Sequence, residues 1–189
     1  MKRRIKCFAA IKPANAIIKR LAREIGFLQL AGAPIRWVAP ENIHLTVKFI
    51  GELEPDEVIP VIESMEDALA EIPRHRLELR GIVTLPKEKA PRIVAASVGG
   101  DTASYEAMFK GLQQSLGELG FRPDRKGLVP HLTLGRVKGV CNDDLVDRID
   151  RSRSRAFGVM DVTTIDLMMS DKGPRGTTEY NSMKSFHLG

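Results

Sequence analysis

Two short stretches hold the residue types that could do chemistry: His44-Leu45-Thr46-Val47 and His131-Leu132-Thr133-Leu134. The chain has only 4 histidines, so two in the same His-Leu-Thr-aliphatic setting point to a shared task. Each stretch alternates polar and apolar residues and is preceded by a proline (Pro40, Pro130), which predicts a strand entered from a loop. Side chains on a strand point alternately to opposite faces. His44 and Thr46 then share one face, while Leu45 and Val47 anchor the other in a core, and His131 and Thr133 repeat the arrangement.

An imidazole titrates near ~6.5, so one ring can be protonated while its counterpart is neutral. That pairing suits in-line displacement at phosphorus. The neutral ring takes a proton from the attacking oxygen and the protonated ring gives one to the leaving oxygen, an effect on the order of 10²–10⁴-fold in rate. The hydroxyls of Thr46 and Thr133 can donate hydrogen bonds to the non-bridging oxygens, where negative charge accumulates. Other chemistries lack their signatures. There is no His-Glu-x-x-His, no Cys-x-x-Cys and no Gly-rich phosphate loop followed by Lys-Ser/Thr. Spacing alone leaves a Ser–His–Asp triad open, but no Gly-x-Ser-x-Gly elbow is present.

Positioning two such strands takes a two-part body. Residues 6–11 read as a strand, and Pro13 opens a helix to about Leu30 with Ile17, Ile18, Leu21, Ile25 and Leu28 at helical spacing. A short strand at 35–38, a turn at 40–42 and the first motif strand at 43–50 follow, then a helix over about 55–72. Strands at 76–83 and 92–98 flank a charged, Pro-bounded loop at 86–91. The second half repeats the plan. A helix spans about 102–119 on a stripe of Tyr105, Met108, Leu112 and Leu116, the second motif strand covers 128–137, and Asn142 caps a helix at 143–152. Strands at 162–170 and 180–188 flank a Gly/Pro-rich hairpin at 172–176. The expectation is an α+β fold: one domain, residues 1–189, of two pseudo-symmetric lobes (about 12–90 and 91–170). Two mostly antiparallel sheets, backed by outer helices and completed by the terminal strands, face a central cleft.

Bulk composition agrees with a soluble globular protein. Hydrophobic content of 43% and charged content of 28% are ordinary, and no apolar run is long enough to span a bilayer, so no membrane partner is expected. The basic, briefly apolar start is too short for a signal-peptide core. With 2 cysteines at no metal-like spacing, a cytoplasmic protein without a metal or other cofactor is expected. A net charge of +5 and a pI near 9.4 favour anionic partners, nucleic acid above all. A monomer is expected, because one chain supplies both motifs.

The paired motifs resemble those of the two-histidine (2H) phosphoesterase superfamily. Within it the chain is similar to the RNA 2′,3′-cyclic phosphodiesterases, the LigT-like or 2′-5′ RNA ligase family. Arg36 through Gly51 is close to the family's first-motif region and Pro130 through Arg136 to its second. Ser170 and Tyr180-Asn181 look like its C-terminal hairpin. The resemblance implies metal-independent hydrolysis of a terminal 2′,3′-cyclic phosphate of RNA to a 2′-phosphate. His44 is then the proton donor to the departing 3′ oxygen and His131 the proton acceptor that activates water. Some members also join RNA ends through a 2′-5′ bond, the reverse reaction. Alternatives from the residues alone are an RNA-phosphate-binding module without turnover and a phosphodiesterase for a small cyclic nucleotide.

Further candidates follow from position. Arg136 matches an arginine that the family places near the phosphate, but strict alternation puts it on the face opposite His131, so a strand end or bulge is required. Lys48 shares the His44 face on the same alternation and could attract the substrate's backbone. Phe49 holds the position equivalent to Arg136, with core packing expected over base stacking. Tyr180 and Trp37 could line the cleft or pack in the core. His75 and His187 lack the threonine partner and are given no chemistry, and Arg122, Arg125 and Lys126 read as a basic loop at the edge of the RNA site.

Overall fold

The structure is a computed structural model and describes residues 4–86, 90–124, 129–173 and 177–189. Nine strands and four helices are present among them: β1 (Ile5–Ile11), α1 (Asn15–Gln29), β2 (Ile35–Trp37), β3 (Leu45–Leu53), α2 (Val58–Leu69), β4 (His75–Leu85), β5 (Ile93–Gly100), α3 (Thr102–Glu118), β6 (His131–Val137), α4 (Asp143–Arg151), β7 (Ala156–Val162), β8 (Thr164–Lys172) and β9 (Thr178–His187). Single 3-10 turns precede β3 (Pro40–Asn42) and α2 (Pro55–Glu57).

All strand pairs are antiparallel, in the order β7-β4-β5-β6-β3-β1-β8-β9, with β2 added to β6. The two lobes are the groups on either side of the β6–β3 joint. That joint is one bridge, Leu45 opposite Leu132, so the two motif strands lie side by side at the centre of the molecule. Helices α2 and α3 pack on each other, with α3 against β3 and α2 against β9, while α1 and α4 pack on each other against β7 and β4. One core joins these layers: Leu45, Val47, Leu132 and Leu134, the aliphatic residues of both motifs, are all fully buried in it.

The lobes do not divide the sequence near residue 90. Strand β4 pairs with β5 because a short hairpin connects them, which carries it into the lobe of β6 and β7. Strand β8 pairs with β1, so the lobe of β3 takes its other strands from both chain ends. Strand β7 was not expected at all. Gly158 sits at φ 136° within it, and a register shift where β4 passes from Leu79 to Arg80 breaks the alternation a strand shows in sequence. The helices follow the sequence closely. On α3, Tyr105, Met108, Leu112 and Leu116 are buried, and Asn142 caps α4 by accepting from Leu145 N at 3.0 Å. Glu24 of α1, 2% exposed, is held by Ser152 and Arg155, which ties α1 to the turn between α4 and β7.

Candidate active site

The two motifs meet in one hollow of about 420 Å³. His44, Thr46, His131, Thr133 and Arg136 line it together with Phe8, Phe49, Ser170 and Tyr180. Two of its aromatic lining residues, Phe8 and Tyr180, pack with the buried Ala10 and Met168 in a small apolar cluster.

Each histidine is set by the same local device. His44 Nδ1 donates to the carbonyl of Asn42 at 2.8 Å, and His131 Nδ1 to the carbonyl of Val129 at 2.7 Å. A carbonyl can only accept, so Nδ1 carries the proton in both rings and Nε2 is left to face a ligand. Asn42 does more than hold the ring: its Nδ2 donates to Thr178 O at 2.8 Å and pins the turn before β3 to β9. His75 makes the same local bond, to Pro73 O at 3.0 Å, but it is buried and its Nε2 has no partner, so that bond does not by itself make a site. His187 is exposed on β9, away from the hollow.

The surroundings of His44 are aromatic. The rings of Phe8 and Tyr180 lie 4.9 and 5.0 Å from it, the latter edge-on. Burial pushes the His44 imidazole below its ordinary value of 6.5, and the charges of Arg136, His131 and Lys12 push the same way, against the bond to Asn42. Cys7 also reaches the hollow, but burial raises its thiol to about 11, so a thiolate nucleophile is not available there near neutral pH.

Paired bulges decide which residues face the hollow. Along β1 the partners step from Lys48 (opposite Ala9) to Thr46 (opposite Ala10), skipping Val47. Along β5 they step from Gly135 (opposite Val94) to Thr133 (opposite Ala95), skipping Leu134. The extra residue in each strand resets the alternation. Arg136 therefore lines the hollow beside Thr133, as the sequence allowed only with a bulge. The equivalent shift brings Phe49 to the hollow, 56% exposed and 6.4 Å from Phe8, rather than into the core where it was expected.

Lys48 is the corresponding correction. It does not share the His44 face. It is 1% exposed behind β3, where Nζ meets Asp124 Oδ2 at 3.0 Å and Arg122 O at 3.3 Å. The bulge turns it inward, and the ion pair ties β3 to the segment that leads toward β6. Arg125 and Lys126, expected in that basic loop, lie outside the described residues. Trp37 packs over Gly135, where an added Cβ would stand 2.9 Å from its ring.

Sequence reasoning missed Phe8, Asn42 and Lys12. Phe8 sits in an apolar strand whose two faces look alike in sequence. Asn42 and Lys12 act through backbone and charge, with no motif to mark them. Tyr105 was placed correctly on the α3 stripe, but its hydroxyl donates to Thr46 O at 2.8 Å, supporting the first motif from behind.

This fold recurs in solved proteins. The structure of TT0787 of Thermus thermophilus superposes with a TM-score of 0.80 at 23% identity, covering 97% of each chain. That of E. coli LigT complexed with 3′-AMP superposes with a TM-score of 0.77 at 19% identity, covering 98% of this chain and 99% of that one. The architecture is thus that of the bilobed α+β proteins to which LigT belongs.

The sequence carries the assignment to a family. The model of the LigT like Phosphoesterase family matches residues 11–95 and 101–177. An RNA 2′,3′-cyclic phosphodiesterase of Aeropyrum pernix is 32% identical over 170 residues, 87% of this chain and 94% of its own. Another, of Methanothermobacter thermautotrophicus, is 29% identical over 186 residues, 98% and 100% of the two chains. The chain belongs to the LigT-like phosphoesterase family.

Proposed function

We propose that this phosphoesterase hydrolyses the 2′,3′-cyclic phosphate at an RNA end to a 2′-phosphate, without a metal, using His44 as proton donor and His131 as proton acceptor. One observation carries the reading: two histidines with identical anchoring at Nδ1 leave two Nε2 atoms to a single hollow. The names of the relatives support the substrate. No group of three His, Cys, Asp or Glu side chains among the described residues is placed to hold a metal ion.

In this reading the ring of His131 takes a proton from water as its oxygen attacks phosphorus. The bond from phosphorus to O3′ breaks, and His44 protonates the departing O3′. Thr46, Thr133 and the Arg136 guanidinium meet the non-bridging oxygens. Burial, joined by the charges of Arg136, His131 and Lys12, disfavours the protonated form of His44, which opposes an acid role. The negative charge of a bound phosphodiester favours the protonated ring, so His44 becomes the acid when substrate arrives. Phe8, Phe49 and Tyr180 give the nucleoside an apolar bed. With the 5′ hydroxyl of a second RNA in place of water, the same sequence of steps joins two RNA ends through a 2′-5′ bond: the bond from phosphorus to O3′ breaks and the 2′ oxygen keeps the phosphorus. Both rings come from one chain, so a monomer suffices.

The test is an oligoribonucleotide ending in a 2′,3′-cyclic phosphate, with chelator present. The expected product is the 2′-phosphate, and His44→Ala and His131→Ala each lose about 10²–10⁴-fold. No turnover between pH 5 and 8 (roughly the imidazole range), or full activity in either variant, overturns the reading. Tight binding without product would leave a binding module instead.

A further inference from the structure

A second hollow, of about 740 Å³, adjoins the first and shares Val38, Asn42, Arg136, Ser170 and Tyr180 with it. Its walls are β2 with the turn before β3 on one side and the start of β9 on the other, held together by the Asn42–Thr178 bond.

Arg36 and Arg136 stand directly opposite one another across the β2–β6 pair, and both line this hollow. Residues directly opposite in an antiparallel pair point to the same face, and like charges there repel. Glu41 and Glu179 line the hollow too, yet neither guanidinium forms an ion pair with a described residue. The arrangement is nevertheless firmly built. Val38 N donates to Leu134 O and Lys138 N to Pro34 O, both at 2.8 Å, which holds β2 at both ends. Gly135 leaves room for this strand, since a Cβ there would stand 2.6 Å from Ile35 Cγ2. Two guanidiniums carried on one face by this fixed backbone make a receptor for an anion, and the planar fork of arginine suits phosphate oxygens.

We propose that this second hollow seats the RNA strand on the 5′ side of the reacting nucleotide, and that Arg36 grips the phosphate linking the last two nucleotides while its neighbour Arg136 stays on the reacting phosphate. This rests on the reading of the histidine site as a cyclic phosphodiesterase. Beyond its cyclic phosphate, an RNA end presents as its nearest further anion the diester on the 5′ oxygen of the same ribose. Arg136 borders both hollows and marks the boundary between the terminal nucleotide and its neighbour. Arg36 touches only the second hollow and serves the strand alone.

The experiment compares kcat/KM for three substrates: a nucleoside 2′,3′-cyclic phosphate, a dinucleotide ending in the same group, and that dinucleotide with a neutral methylphosphonate linkage. The natural dinucleotide should exceed the other two by about tenfold, the scale of one hydrogen-bonded ion contact. Added salt should shrink that advantage. In Arg36→Ala and Arg36→Gln the dinucleotide should lose about tenfold more than the nucleoside cyclic phosphate does, while Arg36→Lys keeps part of the advantage. Equal kcat/KM for all three substrates, or an equal loss on all three in both Arg36→Ala and Arg36→Gln, overturns the subsite and leaves the hydrolase intact. Failure of the unaltered protein on every cyclic phosphate overturns the hydrolase reading as well.

Discussion

Lys48 gives the sharpest test of the bulge in β3. Without the bulge it faces the hollow and meets substrate. With it, the side chain lies behind the strand, 1% exposed, on Asp124. The two placements predict different consequences for Lys48→Met, which keeps the buried stem and removes the charge. Breaking a buried pair costs about 3–5 kcal/mol when the remaining charge cannot rehydrate. Here the Asp124 side chain is 28% exposed and can turn to water, so about 2 kcal/mol is expected. For a chain of this size that lowers Tm by about 4–8 °C. Lys48→Ala also removes three packed methylenes, each about 0.8 kcal/mol, and should cost roughly twice as much. Asp124→Asn strands the charge on the more buried partner and should exceed Lys48→Met, while the double variant should match Lys48→Met alone. Thermal unfolding and steady-state kinetics on the same samples settle the matter. A Lys48→Met protein with unchanged Tm and a raised KM would refute the inward placement and the bulge with it.

Three further outcomes follow from the site. Burial and the charges of Arg136, His131 and Lys12 all lower His44, so its NMR titration midpoint in the free protein should fall below 6.5. Arg136→Ala removes one of those charges and should raise the midpoint, and a bound nucleotide monophosphate should raise it in the unaltered protein. A midpoint that ignores both changes would contradict this electrostatic account. Tyr105→Phe leaves Thr46 O without its donor at 2.8 Å and should cost about 1–2 kcal/mol by chemical denaturation, with a lower kcat as the first motif loosens. Gly135→Ala drives a methyl into Ile35 and Trp37 and should cost about 1–3 kcal/mol, with Arg36 displaced and the dinucleotide advantage lost. An Ala variant of wild-type stability would show that β2 can yield without strain.

Most of the local structure is legible in the sequence because it depends on periodicity. The stripe of α3 and the cap of α4 are read directly, and so are the motif cores: Leu45, Val47, Leu132 and Leu134 are buried as alternation requires. Alternation fails one residue later. Counting onward from His44 sends Lys48 to the cleft and Phe49 to the core, and counting from His131 sends Arg136 away from Thr133. All three departures from strict alternation have one cause, the extra residue at Val47 and at Leu134. Nothing in the composition of either strand marks a bulge, since a bulged valine or leucine looks like any core residue. The exchange of β4 and β8 between lobes is hidden for another reason. Pairing is a long-range choice, and a hairpin between β4 and β5 competes with any division of the chain into halves.

In the proposed reaction, the bulges would let two equivalent motifs serve an unsymmetrical displacement. A regular strand would present positions i, i+2 and i+4 to the hollow. Here each strand presents its histidine, its threonine and then the residue at i+5, while two consecutive residues go inward: Val47 and Lys48 in one strand, Leu134 and Gly135 in the other. The first two positions are identical in type across the lobes, so they cannot distinguish attacking from leaving oxygen. The third position differs: Phe49 in one lobe, Arg136 in the other. A phosphorus held between the two rings as proposed would therefore face aromatic surface on one side and a cation on the other. The inward pair differs as well. Lys48 braces β3 against the segment before β6, whereas Gly135 leaves room for β2 and so brings Arg36 beside Arg136. The proposed acid–base pair would thus gain its polarity from the residues that follow each motif.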